Sequence, residues 1–156
     1  MSEIDSELAM DPQTLAELAT AAMFSRDRAS QALGMRVARV APGQADVTMT
    51  VRPEMLDGLG TCHRGFIFAL ADSAFTLASN SHNQNTMASG CTIDFLAPGR
   101  LDQVLTADAV EQSLSGRAGL YDITVTNQDG NRIALFRGKS SRLKGEVIID
   151  PVLQFL

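Results

Sequence analysis

Cysteine and histidine are scarce in this sequence, with two of each in 156 residues: Cys62, Cys91, His63 and His82. Two distant cysteines build no disulfide framework, and none of the four residues stands at a C-x-x-C or H-x-x-x-H spacing, so a structural or catalytic metal site is not expected. A reduced, cytoplasmic setting fits. Positive charge is short as well. Thirteen Lys and Arg against eighteen Asp and Glu give a formal net charge of -5, which argues against a general nucleic-acid binder, because phosphate contacts need a basic surface. An anionic ligand would need a local basic patch. Long apolar runs are also missing: nothing approaches the roughly 20 apolar residues that span a bilayer. No Lys or Arg precedes Arg26, and Glu17 interrupts the apolar stretch 15–24, so the start lacks the pattern of a secretory signal. Neither a membrane nor export is expected.

What is present is a globular balance, 45% hydrophobic and 20% charged residues, in a length that suits one domain with a substantial core. Residues 1–10 are polar and acidic, and are expected to be a flexible N-terminus. Residues 11–145 read as the single domain, and 146–156 as a C-terminal tail. Asp11-Pro12 has the form of a helix cap followed by proline in the first turn, and Leu15, Leu18, Ala22 and Met23 recur at helical spacing. The helix runs toward a breaker at Gly34, with an interruption around Arg26 to Arg28.

From Met35 the period changes. Met35, Val37 and Val40 suggest a strand, Pro42-Gly43 a turn, and Val47, Met49 and Val51 alternate with polar residues as a half-buried partner. The segment 53–62 carries Pro53, Gly58 and Gly60 and reads as a loop. Residues 65–79 then form a run of Phe, Ile, Leu and Ala too long for an ordinary strand, so they make a helix apolar on nearly every side. Strand character returns at 88–95, 104–110, 119–126 and 132–142, the last two joined by the turn signal Asn127-Gln128-Asp129-Gly130-Asn131. One long helix among antiparallel strands is an α+β pattern, the central helix packed on a curved sheet.

Within that helix stands Asp72, the one Asp, Glu, Lys or Arg between Arg64 and Asp94. Burying an unpaired carboxylate costs several kcal/mol, so a chain that places one there generally uses it. An edge position in water, or a hydrogen bond to Thr76, explains it equally well from periodicity alone. The helix begins at His63-Arg64-Gly65, and the free N–H groups of a first turn favour an oxyanion. Arg64 and Asp72 are about 12 Å apart along such a helix, too far to address one carbonyl carbon together. If both serve one site, two antiparallel helices across a two-fold dimer axis are the simplest arrangement.

Residues 55–81, MLDGLGTCHRGFIFALADSAFTLASNS, resemble the central loop and helix of the phenylacetic acid degradation thioesterases of the PaaI family, which have the hotdog fold. The likeness continues in order through CTIDFLAPG at 91–99, GLYDI at 119–123 and ALFRGKS at 134–140, so that it spans about 33–145. The chain departs from the family's usual pattern at Asp57, where an asparagine is normal, and at Arg64-Gly65, where two glycines are. An asparagine can donate a hydrogen bond, whereas an ionised aspartate only accepts.

The resemblance implies an acyl-coenzyme A thioesterase, acting without a cofactor, on aryl-acyl groups such as phenylacetyl or hydroxyphenylacetyl in phenylacetate degradation. It implies that the backbone amides at Arg64 and Gly65 polarise the thioester carbonyl, that Asp72 is base or nucleophile, and that His63 and Asp57 help to organise the site. Cys62 is expected to be a small packed thiol and no nucleophile. Leu56, Phe66 and Leu70 would line the acyl pocket. Arg137, Lys139 and Arg142, from the basic group on and after the last strand, would meet the phosphates of coenzyme A, and an ordinary solvated strand face accounts for them as well. A homodimer with shared sites, and a dimer of dimers, is implied. Two other readings use the same residues: a non-catalytic acyl-coenzyme A-binding regulatory module, and a hotdog dehydratase or hydratase.

Overall fold

The computed structural model describes residues 10–148. Only Met10 of the expected flexible start, and residues 146–148 of the expected tail, fall within it, and there Val147 and Ile148 are buried. The first helix, α1 (Pro12–Ser25), is capped by Asp11, whose carboxylate accepts from the Thr14 amide at 3.1 Å and from its hydroxyl at 2.6 Å. A second aspartate cap explains the interruption: the Asp27 carboxylate accepts from the Ser30 amide at 3.0 Å and starts α2 (Arg28–Ala32) afresh. Gly34, at a φ of 73°, then turns the chain into the sheet.

The strands are β1 (Arg36–Ala41), β2 (Gln44–Thr50), β3 (Thr86–Phe95), β4 (Val104–Ser115), β5 (Ala118–Thr126) and β6 (Arg132–Arg142). They form one antiparallel sheet in the order β1-β2-β4-β5-β6-β3, so β1 and β3 are its edges. Between β2 and β3 runs the long helix α3 (Arg64–Asn80). Its residues Ile67, Leu70, Ala71, Ala74, Phe75, Leu77 and Ala78 are buried against the inward-facing residues of the sheet. Each large apolar side chain fully buried in this way contributes about 1.5–3 kcal/mol. Contact is closest at Gly138, where a Cβ would come within 2.7 Å of the Phe75 ring.

The sheet and the N-terminal helices do not enclose α3 completely. Gly65, Phe68, Ala69, Asp72 and Thr76 retain exposure, and their spacing places them in one stripe along the helix. Beside this stripe the edge strand β3 is exposed over most of its length. One long side of the helix and the sheet edge next to it thus lack a neighbour among the described residues.

Candidate active site

The loop before α3 is held from several sides. Leu56 and Cys62 form an isolated antiparallel bridge, the Cys62 amide donates to the Gly99 carbonyl at 2.8 Å, and the His63 amide donates to the Met55 carbonyl at 2.8 Å. Asp57 fastens the inside of the loop. Its Oδ1 accepts from the Leu59 amide at 2.9 Å and the Thr61 amide at 3.2 Å, and these bonds hold its carboxyl below the usual carboxylate range. An ionised acceptor suits that task. Asp57 therefore shapes the loop through its own backbone contacts.

His63 is the cap of α3. Its Nδ1 accepts from the Gly65 amide at 2.9 Å, so in the neutral ring the proton sits on Nε2. The structure thereby separates two amides that the sequence places together. Gly65 N–H is taken by the imidazole, whereas no described residue accepts from Arg64 N–H. The free donor at the positive end of α3 is that of Arg64.

That helix start borders a cavity of about 230 Å³ whose walls include Asp57, Thr61, Arg64, Ile67, Phe95 and Ala97. The Arg64 guanidinium lies 5.8 Å from the centre of the Phe95 ring, within cation–π range. Its side chain thus caps one wall and leaves its amide inside the first turn. Phe95 and the segment after β3 were not among the residues singled out from sequence, although the block 91–99 contains them. Cys62 is 2% exposed, and burial, followed by the nearby Asp57 charge, pushes its thiol up to about 11. A thiol so rarely ionised at neutral pH is a packing residue.

Asp72 is half-buried on the uncovered stripe of α3. No described residue, Thr76 included, donates a hydrogen bond to its carboxylate. Burial is the larger reason that its pKa is raised, and the Asp27 carboxylate adds to it. The Asp27 connection is physical. Ser30 Oγ donates to Asp27 at 2.6 Å and lies 2.8 Å from Ser73 Oγ, so α2 is bonded to α3 at the residue next to Asp72. Sequence reading missed this tie, although an aspartate three positions before a serine is the mark of a cap.

The expected acyl pocket needs correction at Leu70, which is fully buried in the core. Position 70 shares the sheet-facing side of α3 with Ile67, Ala71 and Ala74, so no substrate reaches it. Leu56 and Phe66 are half-buried and pack against the core's edge near the loop. The basic residues of β6 divide by strand alternation. Ser140 and Gly138 point toward α3, whereas Arg137 and Lys139 lie on the outer face. There Arg137 is bound to both carboxylate oxygens of Asp122, at 2.7 and 2.9 Å. Arg142 borders a cavity beside the C-terminal end of α3.

In one chain the free Arg64 amide and the Asp72 carboxylate are separated by about 12 Å of helix. An amide that stabilises an oxyanion and a carboxylate with a raised pKa are complementary parts of acyl-transfer chemistry, provided that both reach one carbonyl.

A profile of the thioesterase superfamily matches residues 59–134. Acyl-coenzyme A thioesterase PaaI of Escherichia coli K12 is 45% identical over 126 residues, 81% of this chain and 90% of that protein. The structure of the E. coli PaaI protein from the phenylacetic acid degradation operon is similar with a TM-score of 0.86 at 43% identity, over 87% of this chain and 99% of that one. A mutant of the phenylacetic acid degradation protein PaaI of Thermus thermophilus is similar with a TM-score of 0.72 at 43% identity, over 75% and 100% of the two chains.

Proposed function

The chain belongs to the thioesterase superfamily, among the hotdog-fold acyl-coenzyme A thioesterases of the PaaI type, and we propose that it hydrolyses aryl-acyl thioesters at sites shared between two subunits. The observation that carries this reading is the pairing of a free Arg64 amide with Asp72 on the one uncovered stripe of the same helix. Placing two α3 helices antiparallel along that stripe brings the amide of each beside the carboxylate of the other. The exposed edge of β3 runs next to the stripe, and the apolar residues Met87, Phe95 and Leu96 are exposed on or just after it. Pairing of two copies would cover all of these.

In the reaction, the thioester carbonyl accepts a hydrogen bond from Arg64 N–H. Ionised Asp72 takes a proton from water while the water oxygen attacks the carbonyl carbon, and the oxyanion is held by the amide. Collapse breaks the carbon–sulfur bond, and the proton on Asp72 passes to the departing thiolate. The products are the free acid and coenzyme A, and water is the only co-reactant. Direct attack by Asp72, giving an anhydride that water then opens, uses the same residues. Oxygen-18 in a single turnover separates the routes, because only attack leaves label in the enzyme carboxylate. A phenylacetyl or hydroxyphenylacetyl group suits the apolar rim around Leu56, Phe66 and Phe68. No helix among the described residues is long and apolar enough to cross a membrane, and Cys91 is an exposed free thiol, which suits a reducing cytoplasm.

The test follows free thiol release from phenylacetyl-, hydroxyphenylacetyl-, benzoyl- and medium-chain acyl-coenzyme A at neutral pH. Turnover of the aryl esters, with a loss of about 10² or more in kcat for Asp72→Asn, is expected. Tight ligand binding without thiol release, unaffected by Asp72→Asn, would instead make the chain a binding module.

A further inference from the structure

A groove of about 550 Å³ lies between α1 and the edge strand β1, walled by Ala21 and Phe24 of the helix and by Met35, Val37 and Val40. We propose that residues 149–156 of the same chain, IDPVLQFL, run along this groove antiparallel to β1 and pack their apolar side chains into it. The docking is separate from the reaction at Asp72 and does not depend on it.

The groove is an apolar seam beside an unpaired strand. Among the described residues β1 pairs with β2 alone, so its other side lacks a strand. The start of α1 is fastened to that side, where the Gln13 side chain donates to the Val40 carbonyl at 2.8 Å. Farther along, Ala21 and Ala38 are exposed, and Phe24 and Val37 are half-buried. A sheet edge bordered by apolar side chains is a surface that folded chains cover.

The described part of the C-terminal segment already heads toward this seam. After β6 the chain turns back along the residues that precede β3. Arg142 is opposite Thr86, the Leu143 amide donates to the Asn85 carbonyl at 2.7 Å, and the Asn85 amide donates to the Gly145 carbonyl at 3.1 Å. Ile148 is then bonded through both its amide and its carbonyl to the Asn83 side chain, at 2.9 and 3.0 Å, and is 2% exposed. Each step brings the chain closer to Ser81, whose Oγ accepts from the Gly43 amide at 2.8 Å. A chain that continues in this direction meets the β1–β2 turn, and Val40, at the near end of the groove, is three positions from Gly43.

Length and composition fit the same path. Residues 149–156 reach at most about 29 Å, and β1, with six residues, spans about 20 Å. Asp150-Pro151 suits a change of direction at the turn. Val152, Leu153, Phe155 and Leu156 then remain for the groove, where burial of their side chains is favourable. Residues 1–9 adjoin α1 as well, but they carry Glu3, Asp5 and Glu7. An acidic stretch is poorly suited to an apolar groove whose wall includes Glu17.

Disulfide trapping in the full chain tests the docking. In a Cys91→Ser background, which removes the exposed free thiol, Ala21→Cys is combined in turn with Val152→Cys, Leu153→Cys and Phe155→Cys under mild oxidation. At least one of these pairs should close within the chain in most molecules. Leu59→Cys, at a loop position 88% exposed, should not close with the same tail cysteines. Bridges formed mainly between chains would give the groove to a second copy, and tail cysteines that bridge no better to position 21 than to position 59 would leave it without this occupant. Either result overturns the proposal. Deletion of residues 149–156 should also lower Tm by about 4 °C or more and raise the binding of an apolar dye several-fold, and the peptide IDPVLQFL added in trans should reverse the dye binding. Deletion of residues 1–9 should do neither. If that deletion opens the groove and removal of 149–156 does not, the occupant is the other end of the chain and the proposal falls. Should the shortened chain fail to fold, the trapping result in the full chain decides.

Discussion

The Arg64 amide can be removed by one kind of substitution only, since every residue except proline carries an N–H. Position 64 is the first residue of α3, where proline is well tolerated, and no described residue uses its N–H. His63 already has the extended conformation, φ -57° and ψ 131°, that a following proline requires. Arg64→Pro should therefore fold like the wild type and lose about 10²–10³ in kcat, the usual cost of one oxyanion donor. Arg64→Ala keeps the amide, so it should retain most of kcat. Steady-state kinetics with circular dichroism as a folding control checks both. A variant pair with equal rates would remove the amide from the mechanism. At this scale Asp72 was legible because a lone charge in an apolar run is conspicuous. The capture of the Gly65 amide was not, because it depends on which way the His63 ring turns over its own helix, a matter of torsion angles with no sequence signature. Leu70 was misassigned for a related reason: in a helix apolar on almost every side, composition does not say which side meets the sheet.

At the scale of elements, α2 and α3 are joined through Asp27, Ser30 and Ser73, and this contact bears on the pH dependence of the reaction. Burial and then the Asp27 charge raise the Asp72 pKa. In the proposed reaction Asp72 works ionised, so the rate should fall as pH drops through that raised value. Removing the Asp27 charge lowers the Asp72 pKa and moves the acid limb of kcat/KM to lower pH, with the high-pH plateau unchanged. Asp27→Asn does this and can still cap α2 with its side-chain oxygen. A limb that does not move would show that the tie is structural only. The elements themselves were largely readable, since helix caps, hairpin turns and a period of two are local signals. Strand β4 runs on to Ser115, well beyond the alternation that marks its start, because a register shift between Glu111 and Ser113 breaks the period within a continuous pairing. The strand order was not readable: β6 pairs with both β5 and β3, and the choice of a distant partner lies in the packing of the whole sheet over α3.

For the whole molecule, the question is whether one chain or two make a site, and the roughly 12 Å between amide and carboxylate turns it into a complementation experiment. In the proposed homodimer, Arg64→Pro and Asp72→Asn would each spoil both sites. In a mixed dimer the two lesions sort differently according to geometry. If each site takes its amide from one subunit and its carboxylate from the other, one site of the mixed dimer carries both lesions and the second carries none. Mixed dimers should then recover about half of the wild-type rate per dimer, far above either parent. If each site is built within one chain, every site keeps one lesion, and the mixed dimers show no more than the residual rates of their parents. Co-expression with two affinity tags isolates the mixed species, and sedimentation gives its assembly state. Recovered activity would require α3 to pair along the stripe of Gly65, Phe68, Ala69, Asp72 and Thr76, since that is the face on which Asp72 stands. A charged residue at Ala69 should then break the dimer and the activity together, so the loss of rate and the change in mass must appear in the same variant.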